Sequence, residues 1–177
     1  MQPFFTNKPR IGLPAVHKEL FKMPIDSPKR NGKREDMPEY LKSLGYNAYE
    51  FAATRMAKLD YKKDMDIFKD NAKKHDMFIS MHAPYYISPT NIDPDQRESS
   101  LNRMVEVYRW CSWFGSKRIV LHPGGYMKHE PADAIKIMVG FIEESHIRLK
   151  EKYPEWTHSE IAKAIGISRQ AVDKYFK

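Results

Sequence analysis

His82 and His122 are the side chains of this sequence best placed to do chemistry. Each closes a short apolar run and is followed within two residues by proline, as Ser80-Met81-His82-Ala83-Pro84 and as Leu121-His122-Pro123-Gly124-Gly125. Proline lacks a backbone donor and breaks a strand, so both imidazoles are expected where a strand gives way to a loop. A neutral imidazole is a common zinc ligand, and two of them on adjacent strands can face one ion. The same placement suits two hydrogen-bonded rim histidines, and the residues alone leave both readings open. Cys111, the only cysteine, falls on the apolar stripe of a helical pattern and is read as core rather than as a nucleophile. Glu50, Asp133, His17 and His129 are read as solvated or structural residues, not as ligands.

The elements that must position the two histidines are βα units. From Arg10 to about Tyr153, short apolar runs alternate with longer segments of helical period, the pattern of a parallel sheet. Strands are expected at 11–16, 47–53, 77–83 and 118–122, and helices at 37–44, 62–75, 94–115 and 131–152. Gly45 ends the first helix. In the second helix Met65, Ile67 and Phe68 are expected on or near one face. In the third, Leu101, Met104, Val105, Tyr108 and Cys111 or Ser112 follow helical spacing and are expected to pack on the sheet. Function in such folds gathers at the C-terminal ends of the strands, which is where both histidines fall.

Around these residues the chain resembles a known family. HAPYYIS, a helix beginning after DPDQRESSLNRMVE, and GSKRIVLHPGG are similar, in order and in both His-Pro contexts, to the third and fourth strand motifs of endonuclease IV. Endonuclease IV enzymes are metal-dependent apurinic-site endonucleases, and a looser likeness extends to the xylose-isomerase-like superfamily. The close likeness covers residues 75–128 and a weaker one 10–150. It implies an α/β fold, a partial TIM barrel of about four βα units occupying residues 1–153, half of a full barrel of about 250 residues. It implies zinc, with His82 and His122 as metal ligands, Tyr85 near the substrate, and hydrolysis of a phosphodiester beside an abasic nucleotide. Gly124 and Gly125 would let the backbone approach a phosphate, although a plain strand-to-helix turn explains them equally well. The acidic and histidine ligands that the family carries on later strands have no counterpart here, so an ion that takes about four ligands is left with two. A four-stranded half barrel also exposes two strand edges and an apolar face. A homodimer that closes eight strands and brings four imidazoles to one rim is therefore expected.

A second signal follows at residues 154–177. Thr157-His158-Ser159-Glu160 reads as a capping box opening a short helix through Ala164, Gly166 supplies a turn, and Ser168 caps a second helix over 168–176. Ile161, Ile165, Ile167, Val172 and Tyr175 are spaced to pack two crossed helices, with small Ala162 at their approach. The run SEIAKAIGISRQAVDKYFK resembles the helix-turn-helix of bacterial and phage regulators, recombinases and sigma-type factors. It is expected to pack on the helix before it. Arg169 and Gln170 are then placed for base edges, and Lys174 and Lys177 for phosphates.

The totals agree with a nucleic-acid partner without specifying one: 30 Lys and Arg against 23 Asp and Glu give a net charge of +7. The basic stretch 29–34 reads as a solvated loop, with a phosphate-contacting arm as the sharper alternative. One cysteine excludes an intramolecular disulfide and a four-thiolate zinc site. No apolar run approaches the ~18 residues of a membrane span, and the first residues lack a cleavable apolar leader, so a cytoplasmic, membrane-free protein is expected. Two functions stay open: a zinc-dependent, endonuclease IV-like DNA repair hydrolase, and a non-catalytic DNA-binding or regulatory protein that keeps the half barrel as a scaffold.

Overall fold

Strands β1 (Gly12–Pro14), β2 (Ala48–Ala52), β3 (Phe78–His82) and β4 (Ile119–Val120) form one parallel sheet in the order β1-β2-β3-β4. This is a computed structural model that describes residues 10, 12–14, 34–53, 62–116 and 118–165. Helices α1 (Met37–Ser43), α2 (Lys62–Lys74), α3 (Pro94–Phe114) and α4 (Pro131–Lys152) follow the strands in turn, and α5 (His158–Ile165) comes last. The architecture is the expected partial barrel.

Local chemistry sets the element ends. The Asp93 carboxylate accepts from the backbone N–H groups of Asp95 and Gln96 at 2.9 and 3.4 Å, and Pro94 occupies the first turn, which together start α3. Gly115, at φ 66°, stops it in the left-handed region. Pro131 opens α4, whose bounds are those the sequence predicts.

The pleat sorts side chains between two unlike faces. Tyr49, Phe51, Ile79 and Met81 are buried beneath the helices, while Glu50, Ala52, Ser80 and His82 line the other face and are only partly covered. On the helix side Phe51 stacks on Phe114 at 4.3 Å, Phe114 meets Phe68 edge-on at 5.2 Å, and the Cys111 thiol lies 3.5 Å from the Met81 sulfur. Burial pushes that thiol up to about 12, consistent with a core cysteine.

Several expectations are corrected. β4 is shorter than expected, because it is paired on one side only among the described residues and Pro123 follows closely after it, while residues 11, 15 and 16 of the expected first strand lie outside the described residues. In α2, Met65 and Phe68 are buried but Ile67 is 42% exposed, since a residue two positions from one and adjacent to the other points off their shared face. The uncovered sheet face is mixed rather than apolar, carrying Glu50, Ser80 and His82 beside Ala52 and Val120. α3 buries more than one stripe. Val107, Trp110 and Phe114 are as buried as Leu101 and Met104, because α4 and α5 cover it where the sheet does not.

The junction after α4 is described through residue 165. The capping box forms: Thr157 N–H donates to the Glu160 carboxylate at 2.7 Å, and Glu160 N–H donates to Thr157 Oγ1 at 3.2 Å. The helix it opens packs against α3 rather than chiefly on the preceding α4, with Ile161 and Ala162 inside the main core. Lys150 Nζ donates to the carbonyls of Pro154 and Trp156 at 2.7 and 2.6 Å, and Tyr153 stacks on Trp156, which together brace the turn. The expected second helix, 168–176, lies outside the described residues.

Candidate functional site

His82 ends β3 and His122 lies two residues beyond β4. Because His82 pairs in register with Val120, the side chains of His82, Val120 and His122 project from the same, uncovered face of the sheet. Their Nε2 atoms approach to 3.2 Å, with ring centroids 4.9 Å apart. The ring of Tyr85 completes a triangle, 5.1 Å from His82 and 5.4 Å from His122, and is 65% exposed.

The rest of His82 is fixed. Its Nδ1 lies 2.9 Å from the carbonyl oxygen of Ala83, which can only accept, so Nδ1 carries the proton and the Nε2 lone pair is left facing His122. A backbone carbonyl on the far ring nitrogen is how ligating histidines are commonly oriented. A tetrahedral zinc with Zn–N bonds of about 2.0–2.1 Å holds two nitrogens roughly 3.3–3.4 Å apart. The observed separation of 3.2 Å therefore fits one edge of that tetrahedron. Two donors are half a shell, and among the described residues no group of three or more His, Cys, Asp or Glu side chains converges to hold an ion.

The remaining residues singled out in the sequence divide clearly. Glu50 lies on the uncovered face, where its Oε2 accepts from Ser80 Oγ at 3.5 Å. Gly124 has φ 84°, and a Cβ there would lie 2.6 Å from Thr90 Oγ1, so the position demands glycine for its turn and for its neighbour. Gly125 is exposed, with its carbonyl accepting from Thr90 Oγ1 at 2.7 Å. His129, read from sequence as structural, has its Nε2 3.2 Å from the Thr90 carbonyl. Thr90 itself was missed, since Ser88-Pro89-Thr90-Asn91 looks like an ordinary turn. His17, Arg169, Gln170, Lys174 and Lys177 lie outside the described residues. No helix among the described residues is long and apolar enough to cross a membrane.

Residues 38–149 match the family described as xylose isomerase-like TIM barrel. A probable endonuclease 4 of Mycoplasmopsis synoviae (strain 53) is 30% identical over 94 residues, which is 52% of this chain and 32% of that protein. In fold the chain is similar to endonuclease IV from Thermus thermophilus, with TM-score 0.54 and 14% identity over 80% of this chain and 47% of that one. It is similar to the same degree to D-psicose 3-epimerase from Clostridium cellulolyticum, with TM-score 0.53 and 13% identity over 87% of this chain and 50% of the other. The chain thus spans about half the length of these solved structures, and its match to the curated relative about a third of that protein. Four consecutive βα units, strand-end histidines on the open face and the matched residues lead to one conclusion: the chain belongs to the xylose isomerase-like TIM-barrel family, as an endonuclease IV-like partial barrel.

Proposed function

We propose that this chain is one half of an endonuclease IV-like, metal-dependent phosphodiester hydrolase acting on abasic DNA in a reducing cytoplasm. The observation that carries the reading is the 3.2 Å approach of the His82 and His122 Nε2 atoms, with Tyr85 beside them, at the rim where such barrels work. These two residues would hold zinc, which when bound supplies Lewis-acid polarisation of a phosphoryl oxygen. Tyr85 offers an exposed aromatic face to a nucleotide, and the turn at Gly124 and Gly125 leaves backbone open to a phosphate.

The ligand shell needs further donors, and we propose that a second copy supplies them. The outer edges of β1 and β4 are unpaired among the described residues, and the face bearing Glu50, Ser80, His82 and Val120 carries no helix among them and is only partly covered. Two copies about a two-fold axis would join β4 of each to β1 of the other and set two His82/His122 pairs on one rim. A duplex with a single abasic site should be cleaved beside that site by the zinc-loaded chain, and chelation should abolish the cleavage. Zinc retained after dialysis should track the dimer in sedimentation. A compact monomer with and without zinc would remove the second copy from the reading, and no chelator-sensitive cleavage by any species would remove the activity.

Within the same reading the C-terminal segment adds duplex contacts through Arg169, Gln170, Lys174 and Lys177. Deleting it is a poor test because Ile161 and Ala162 belong to the core. Arg169→Ala and Lys174→Ala in the full chain are the cleaner variants. Lys174→Ala should weaken binding to all duplexes and lower the salt slope by about 1, as one lost phosphate contact does, whereas Arg169→Ala should also relax sequence preference. Unchanged affinity and slope in both variants would dismiss these contacts.

A further inference from the structure

The two histidines sit on different loops, and those loops are unequally held. The one after β3 is anchored along its length: Ile87 N–H donates to the Pro84 carbonyl, Ser88 N–H to Ser100 Oγ on α3, and Asn91 N–H to the Ser88 carbonyl, with Ile87 and Thr90 each 2% exposed. The one after β4 is the opposite. Residues 122–128 are all exposed, and its internal backbone tie is His129 N–H to the Tyr126 carbonyl.

What joins the loose loop to the firm one is Thr90. Its hydroxyl donates to the Gly125 carbonyl at 2.7 Å, three residues from His122, and its own carbonyl lies 3.2 Å from His129 Nε2, which as the donor must carry the ring proton. The fit is tight, since Gly124 has no room for a Cβ beside Thr90 Oγ1. One buried residue therefore grips the β4–α4 loop on both sides of its exposed tip, through its hydroxyl at Gly125 and its backbone carbonyl at His129, and only the first tie depends on the side chain.

We propose that Thr90 is a positioning residue that clasps the β4–α4 loop to the β3–α3 loop and so sets His122 against His82. That the clasp serves a metal pair rests on the function proposed above; that it holds the loop does not. The Thr90 hydroxyl is buried, so this bond is its way of being satisfied, and losing it leaves the exposed Gly125 carbonyl to solvent and the loop free to open.

The test is tryptic cleavage after the exposed Lys128, followed by mass spectrometry, in the full-length chain and its variants. Thr90→Val, which keeps the shape and removes the donor, should raise the cleavage rate there by about tenfold, the equilibrium effect of one hydrogen bond. Thr90→Ala removes the same donor without bulk and covers the case in which valine disturbs folding. Thr90→Ser keeps the hydroxyl and should restore the slow rate. Zinc retention measured on the same samples separates the two claims. Fast cleavage with zinc lost in Val and Ala and regained in Ser supports clasp and metal pair together. Fast cleavage in a chain that never retains zinc supports the clasp and removes the metal reading. Cleavage at the wild-type rate in both Val and Ala overturns the clasp, whatever the zinc content.

Discussion

Alanine at His82 or at His122 should each release zinc, by more than about a hundredfold in affinity, since even partners one shell further out are worth about 10- to 100-fold. The two Nε2 atoms are 3.2 Å apart and each is half of the pair, so neither can substitute for the other. The fold should survive. His122 is exposed and His82 only partly covered, and surface substitutions of this kind shift stability by about 0.5 kcal/mol or less. Metal content after dialysis, measured beside the unfolding midpoint, reads both quantities. Equal zinc in the wild type and both variants would return the pair to hydrogen-bonded rim residues.

Ile161→Ala should cost about 2–5 kcal/mol, the range for truncating a fully buried isoleucine, and the loss should appear in the unfolding of the whole body. Ile161 is fully buried and lies in the same core cluster as Trp110, Phe114 and Leu149. A separable helix-turn-helix would behave otherwise, melting alone and leaving the barrel units unchanged. Urea unfolding followed by near-ultraviolet and far-ultraviolet signals distinguishes the cases. One shared transition moved to lower urea is expected, with the slope retained. Two transitions, or a midpoint equivalent to within about 0.5 kcal/mol of wild type, would sink this account of the junction. Ser159→Ala, on the exposed side of the same helix, is the control.

These two cases mark what could be read from the residues. Helix ends were legible where chemistry is local: Asp93 before Pro94, Gly115 after Phe114, Pro131 at the head of α4, and the reciprocal Thr157 and Glu160 contacts. The positions of His82 and His122 were legible because proline marks a strand end in the sequence itself. Partner choice was not. The period of α5 shows that Ile161 faces something apolar, but nothing in that period says α3 rather than α4. Strand length at β4 depends on neighbours rather than on propensity. Thr90 reaches a carbonyl 35 residues away, and no local pattern announces such a bond.

The order of the strands has a bearing on how the molecule comes into being. Each strand lies beside the one made just before it, and each crossover is completed by the helix that links them. Parallel sheets are slow to assemble when their pairings are distant, because loop-closure entropy is lost before contacts repay it. Here every pairing joins consecutive strands, Gly12 with Ala48, Ala48 with Phe78 and Met81 with Ile119, so each closure spans one strand-to-strand step instead of the whole width of the sheet. A nascent chain leaving the ribosome can dock β2, β3 and β4 in the order of their synthesis. α3, the helix that touches the sheet, α2, α4 and α5, then waits for its last neighbour among the described elements and keeps apolar surface uncovered until residue 161 has emerged.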